Sequence, residues 1–161
     1  MLLYIVRHAF AGEHGDPRYP DDSLRPVTKK GRKQFRRLVK ALVRSGFAPQ
    51  VIGSSPYLRC LETAEVIAEE LEEPVKPQSV ASFAPGCNVE DVLKWAKDSG
   101  GQKLAYVGHA PDVDKIGAAL LGASEGSIHF AKGAVAAIEF ANEPAAGKGT
   151  LQWLITPKLV R

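Results

Sequence analysis

Arg7 and His8 stand together at the end of an apolar run, Leu2-Leu3-Tyr4-Ile5-Val6, and this abrupt change of residue type is where chemistry can begin. A neutral imidazole is a nucleophile, and a guanidinium is always charged and can take two phosphate oxygens at once. The pair therefore suits a phosphoryl group. The motif is short, and an arginine and a histidine after a strand also occur by chance, so the remaining chain has to supply context. It supplies two more such endings. Val51-Ile52-Gly53-Ser54 leads to Ser55-Pro56-Tyr57-Leu58-Arg59, and Lys103-Leu104-Ala105-Tyr106-Val107 leads to Gly108-His109-Ala110-Pro111. Two runs of one type, each delivering a histidine at the same end, are harder to ascribe to coincidence than one.

The elements that must hold these residues are legible from periodicity. The apolar runs read as strands buried on both faces, and ligands of open α/β sheets sit at the carboxyl ends of such strands. Phe35, Leu38, Val39, Leu42 and Val43 recur at helical spacing between Thr28 and about Ser45, with Gly46 as a stop. The opposite face of that helix carries Lys29, Lys33, Arg36, Arg37, Lys40 and Arg44, which reads first as a solvated face and second as a dock for an acidic partner. Ser55 is placed to cap a second helix with Pro56 at its first position. Its stripe is Cys60, Ala64, Ile67, Ala68 and Leu71, and Arg59 falls in its first turn, where an anion is favoured.

Further along, Pro74 to Val80 allows a short edge strand. Val89, Val92, Leu93 and Ala96 mark a helix ending before Gly100-Gly101, and Val113, Ile116, Gly117 and Leu120 mark another opened by Pro111. Ala134 to Phe140 and Thr150 to Ile155 alternate and read as late antiparallel strands. Gly12 to Pro26 has no hydrophobic period and reads as a surface loop, with His14, Asp16 and Arg18 exposed on it. His129 reads as structural or exposed.

Composition bounds the rest. The 161 residues suit one domain, 1–161, and the 45% hydrophobic and 24% charged fractions suit an ordinary globular protein. A net charge of +3 with no aromatic interleaving does not argue for nucleic acid. The opening apolar run reaches Arg7 too soon for a signal sequence or a membrane span, so a cytoplasmic protein is expected. Cys60 and Cys87 are isolated, so neither a disulfide scaffold nor a metal site is expected.

Arg7-His8-Ala9, Ser55-Pro56-Tyr57-Leu58-Arg59 with Thr63, and Gly108-His109-Ala110-Pro111, in that order, resemble the histidine phosphatase superfamily, most closely its SixA-type phosphohistidine phosphatase branch. Leu24-Arg25-Pro26-Val27-Thr28 with Gly31, Gly133-Ala134-Val135, and Trp153 with Pro157 extend the resemblance from residue 2 to about residue 157. It implies a phosphoglycerate mutase-like fold: a single three-layer α/β/α domain with a mixed, mainly parallel sheet. It also implies His8 as the nucleophile that is phosphorylated, Arg7 and Arg59 as clamps on the phosphoryl oxygens, and His109 as the group completing the phosphate-binding pocket, with no cofactor. Two departures stand out. Ala9 replaces the glycine that usually follows the nucleophile, a change the SixA-type branch tolerates. In the region where many relatives carry a carboxylate acid, the candidates here are Glu90 and Asp91, beside Asn88, and none lies in a clear motif.

The expectation that follows is a phosphatase acting on phosphohistidine of a phosphocarrier or a histidine phosphotransfer domain, working as a monomer with no membrane or nucleic-acid partner. The alternatives are a phosphatase of a small phosphoester with Glu90 or Asp91 as acid, and a noncatalytic module binding phosphorylated ligands through the same arginines.

Overall fold

Leu3 and Ile5 of the first strand point to one side of the sheet, Tyr4 and Val6 to the other, and all four are buried, which is why the run shows no polar alternation. The computed structural model describes residues 1–160. Its strands are β1 (Leu2–Arg7), β2 (Val51–Ser54), β3 (Gln78–Ser79), β4 (Lys103–Gly108), β5 (Val135–Glu139) and β6 (Thr150–Ile155). Its α-helices are α1 (Lys29–Arg44), α2 (Leu58–Glu70), α3 (Val89–Ser99) and α4 (Asp112–Leu121). The sheet order is β3-β2-β4-β1-β5-β6, with the first four strands parallel and β5 and β6 antiparallel. This is the mixed, mainly parallel sheet of the expected α/β/α domain.

Two apolar layers hold it together. Tyr4 and Val6 pack with Phe35, Leu38, Val39 and Leu42 of α1 and with Cys60, Ala64 and Ile67 of α2. Leu3 and Ile5 pack with Val92 and Ala96 of α3 and Val113, Ile116 and Leu120 of α4. Burying each such large side chain contributes roughly 1.5–3 kcal/mol.

The placement of helices decides where a ligand can sit. The connection leaving β1 runs to the α1–α2 face, whereas the one leaving its neighbour β4 runs to the α3–α4 face. The chain parts between these strands, and the resulting crevice at their carboxyl ends is the binding position of open α/β sheets.

Thr28 caps α1: its hydroxyl accepts the Gly31 N–H at 3.0 Å, worth about 1 kcal/mol. Its backbone N–H donates to the Phe10 carbonyl at 2.9 Å, which ties the helix start to the loop after His8. Gly31 is required there because a Cβ would lie 2.3 Å from that same carbonyl oxygen. Gly133, at φ +75°, turns the chain so that its N–H reaches the His8 carbonyl at 3.0 Å.

The basic face of α1 is only partly solvated. Arg32 and Arg36 pair with Glu69 of α2, and Arg36 also pairs with Glu70 at 3.0 Å. Like charges one helical turn apart, such as Lys29/Lys33 and Lys33/Arg37, cost a helix about 0.2–0.5 kcal/mol each. The expected edge strand is reduced to Gln78–Ser79. Gly12 to Pro26 is a loop as expected, apart from a short 3-10 turn at Asp22–Leu24.

Candidate active site

Register brings the two histidines side by side. Arg7 pairs with Gly108 across β1 and β4, so His8 and His109 emerge next to each other, and their ring centroids are 5.5 Å apart. Ser54 of β2 lies opposite Val107, which sets Ser55 beside them. The His8 N–H donates to the Gly108 carbonyl at 3.0 Å, fixing the residue as the strand ends.

Each ring is oriented by a partner. His8 Nδ1 lies 2.8 Å from the Ala9 carbonyl oxygen. A carbonyl only accepts, so Nδ1 carries the proton and Nε2 keeps its lone pair, the state required of a nucleophile. His109 Nε2 lies 2.7 Å from Ser55 Oγ. With the hydroxyl donating, His109 Nδ1 bears its proton and can donate to an anion. Tyr57 meets the His109 ring edge-on at 5.1 Å.

Arg7 Nη1 donates to the Phe130 carbonyl at 2.7 Å. Arg59 is 5% exposed; its Nη1 donates to the Asp22 carbonyl at 2.8 Å and its Nη2 pairs with the Asp22 carboxylate at 3.0 Å. Asp22 also receives Arg25 Nε at 2.9 Å and faces His14 Nδ1 at 3.2 Å. Burial pushes the Asp22 carboxyl upward, but Arg25 and Arg59 win and hold it below the usual carboxylate range. Thr63 links the two halves of the site: its hydroxyl accepts the Ala9 N–H at 3.0 Å and donates to the Arg59 carbonyl at 2.6 Å. Among the described residues, the buried Nε atoms of Arg7 and Arg59 have no acceptor.

Arg7, His8, Arg59 and His109 all line one cavity of about 540 Å³. The charged groups around it are Arg7, Arg25, Arg59 and Lys132 against Glu13 and Asp22. The excess of cations suits a tetrahedral dianion. Burial drives both histidines down to about 3, helped at His8 by His109, Arg59 and Arg7 and at His109 by Arg59. Both are neutral at physiological pH.

A stability prediction follows from that depression. As pH falls from about 6.5 toward about 3, the unfolded chain takes up protons that the folded one refuses, so stability is lost. The loss is up to about 1.4 kcal/mol per pH unit for each histidine. Urea unfolding between pH 7.5 and 4.5 should show this slope, and His8→Gln should remove about half of it. An identical slope in the variant would show that His8 is not held neutral.

Several expectations need correction. Glu90 and Asp91 do not line this cavity. Asp91 is spent on α3, where its carboxylate accepts the Asn88 N–H at 3.2 Å while the Asn88 side chain accepts the Asp91 N–H, and Glu90 borders a separate groove between α3 and α4. Ser55 does not cap α2 and Pro56 is not its first residue, because the helix begins at Leu58 with Tyr57 as N-cap; the Ser55 hydroxyl instead accepts the Tyr57 N–H at 3.3 Å and meets His109 Nε2 at 2.7 Å. Arg59 keeps its place in the first turn. Asp22, Arg25 and Ser55 were not legible as site residues: Asp22 and Arg25 lie in a loop without periodicity and act through contacts distant in sequence. His129, by contrast, is exposed as expected, with its Nδ1 3.5 Å from the Asp114 carboxylate. Cys60 touches His109 Nε2 at 3.5 Å, and burial pushes its thiol up to about 12. Among the described residues no group of three or more His, Cys, Asp or Glu is placed to hold a metal ion.

Comparison with known proteins places this geometry. Residues 3–80 match the family described as the histidine phosphatase superfamily (branch 1). Over 119 residues the chain is 34% identical to an uncharacterized protein of Picosynechococcus, covering 70% of this chain and 68% of that one. The chain belongs to the histidine phosphatase superfamily. As a histidine phosphatase it has the fold seen in the structure of the protein histidine phosphatase SixA complexed with tungstate, with TM-score 0.84, 24% identity and 99% of both chains covered. The alpha-ribazole phosphatase from Shigella flexneri has the same fold, with TM-score 0.73, 16% identity and 98% and 97% of the two chains covered. The shared fold alone therefore does not assign a substrate to this chain. Among the described residues no helix is long and apolar enough to cross a membrane.

Proposed function

We propose that this histidine phosphatase removes phosphate from phosphohistidine on a protein, a phosphocarrier or a histidine phosphotransfer domain, through a phosphorylated His8. The observation that carries the reading is the 2.8 Å approach of His8 Nδ1 to the Ala9 carbonyl oxygen, which assigns the proton to Nδ1 and leaves Nε2 as the attacking atom in a cavity shared with Arg7, Arg59 and His109. Nε2 forms a bond to phosphorus as the bond to the substrate imidazole breaks, and the substrate imidazole, protonated from solvent on its other nitrogen, takes that electron pair and leaves neutral. Water then attacks phosphorus, the bond to Nε2 breaks, its electron pair returns to His8, and phosphate departs with the proton balance made up by solvent. Arg7 and Arg59 hold the equatorial oxygens, and His109 donates to one of them. Phosphoryl transfer asks for little more than such positioning and charge.

The carboxylates support phosphohistidine over an ester. A substrate imidazole, with an ordinary pKa of about 6.5, leaves far more readily than an alkoxide and needs less acid assistance. Glu90 and Asp91 are outside the cavity, and Asp22 is held as a carboxylate by two arginines. Glu13, exposed at the mouth, keeps a small phosphoester as the second reading. The two are separated by comparing kcat/KM on a phosphorylated phosphocarrier with that on a panel of small phosphoesters. Phosphohistidine should win by at least about 100-fold, in line with the contribution of a missing acid. Faster turnover of any ester would sink the reading.

A further inference from the structure

The first turn of α1 breaks the ordinary charge rules. It holds Lys29 and Lys30 and no acidic residue, at the helix end whose dipole disfavours cations. Lys29, Lys33 and Arg37 then follow at four-residue intervals, each repelling the next. The neighbouring line of Arg32, Arg36 and Lys40 is answered by Glu69 and Glu70 of α2, but no carboxylate pairs with Lys29, Lys33 or Arg37 among the described residues. These six cations line one shallow groove of about 370 Å³ that contains no acidic residue. Departures from local rules that weaken an element and are left uncompensated are characteristic of surfaces with a function.

The groove starts close to the site, at the N-terminal end of α1. Thr28, capping α1, is bonded to Phe10, which lies two residues beyond His8. Lys132, a residue of the cavity lining, lies over the Phe10 ring at 4.6 Å. From that rim the cations extend along α1 away from the cavity, so a protein inserting a side chain into the cavity would lay its adjacent surface on them.

We propose that the Lys29–Lys33–Arg37 face of α1 is the docking surface for an acidic face of the phosphorylated protein substrate. The inference rests on the phosphohistidine reading above and adds to it the charge and the position of the partner's contact surface. Such a surface acts on association: complementary charge raises the encounter rate about 10–10³-fold and loses its effect as salt screens it. The chemical step at His8 is untouched.

The test uses two substrates with one reacting group: free phosphohistidine, and an acidic histidine phosphotransfer domain phosphorylated on its histidine. In the K33E/R37E variant, kcat/KM on the domain should fall about ten-fold or more at low salt, and the native protein should lose the same advantage as salt is raised. Turnover of free phosphohistidine should not change. The melting temperature of the variant should hold or rise, because a repulsive line is broken, whereas residues with a structural role would lower it. Equal rates on the domain for native and variant overturn the docking surface and leave the phosphohistidine reading intact. A parallel fall on both substrates, with a lower melting temperature, also overturns it. If the native protein hydrolyses neither substrate, the phosphohistidine reading itself fails and the docking proposal falls with it. K33A/R37A, which adds no acid, should show the same pattern at smaller size.

Discussion

The His8→Ala variant should lose at least about 10³-fold in turnover, with no phosphorylated enzyme detectable after acid-free quenching, because no other group can take over a nucleophile's bond to phosphorus. His109 lies in the same cavity, but its Nε2 is engaged by Ser55. The guanidiniums of Arg7 and Arg59 remain, so the variant should still bind an oxyanion such as vanadate or tungstate. That combination separates the loss of a nucleophile from the loss of the site. Folding should survive at neutral pH, since the substitution removes an uncharged ring and its single bond to Ala9. Phosphate release from the variant within about ten-fold of the native rate would end the proposal of a phospho-His8 intermediate. Retained binding with no turnover in the native protein would instead favour a module that only binds phosphorylated ligands.

Arg59→Met should cost about 10³-fold or more in kcat/KM, the scale seen when a guanidinium facing a transferring phosphoryl group is removed. The effect has two sources that a second variant can separate. Arg59 supplies charge, and Asp22 holds it in place through both a carbonyl and a carboxylate. Asp22→Asn keeps the Arg59 charge while loosening its position, so its loss should be smaller, about ten-fold, and accompanied by tighter vanadate binding as a carboxylate leaves the cavity. The double variant should be no worse than Arg59→Met alone, because Asp22 acts through Arg59. A native-like rate for Arg59→Met would remove this arginine from the phosphoryl clamp. Breaking a buried ion pair can cost about 3–5 kcal/mol of stability, but Asp22 retains Arg25 and is partly exposed, so the variant should stay folded.

Periodicity and residue type alone located the strands ending in Arg7-His8 and His109 and the helix turn bearing Arg59. Each is a local event, a buried apolar run broken by a charge or a ring, and needs no knowledge of distant segments. The helices were legible for the same reason, since the stripe Phe35, Leu38, Val39 and Leu42 repeats along one face and is buried as expected. The resemblance to histidine phosphatases rested on the order of such local signals. What tertiary structure decided was every pairing made across the chain. Strand order and the register of Arg7 with Gly108 set the histidines side by side. Asp22 became the shared counter-ion of Arg25 and Arg59 only because an aperiodic loop folds over α2, and Ser55 met His109 only because β2 and β4 are neighbours in the sheet. Glu90 and Asp91, plausible acids by position, were taken away from the site by the capping of α3 and its groove with α4. A hydrogen bond between loops has no period and no fixed spacing, so nothing in the chain's pattern records it until the sheet and its helices have brought the partners within about 3 Å.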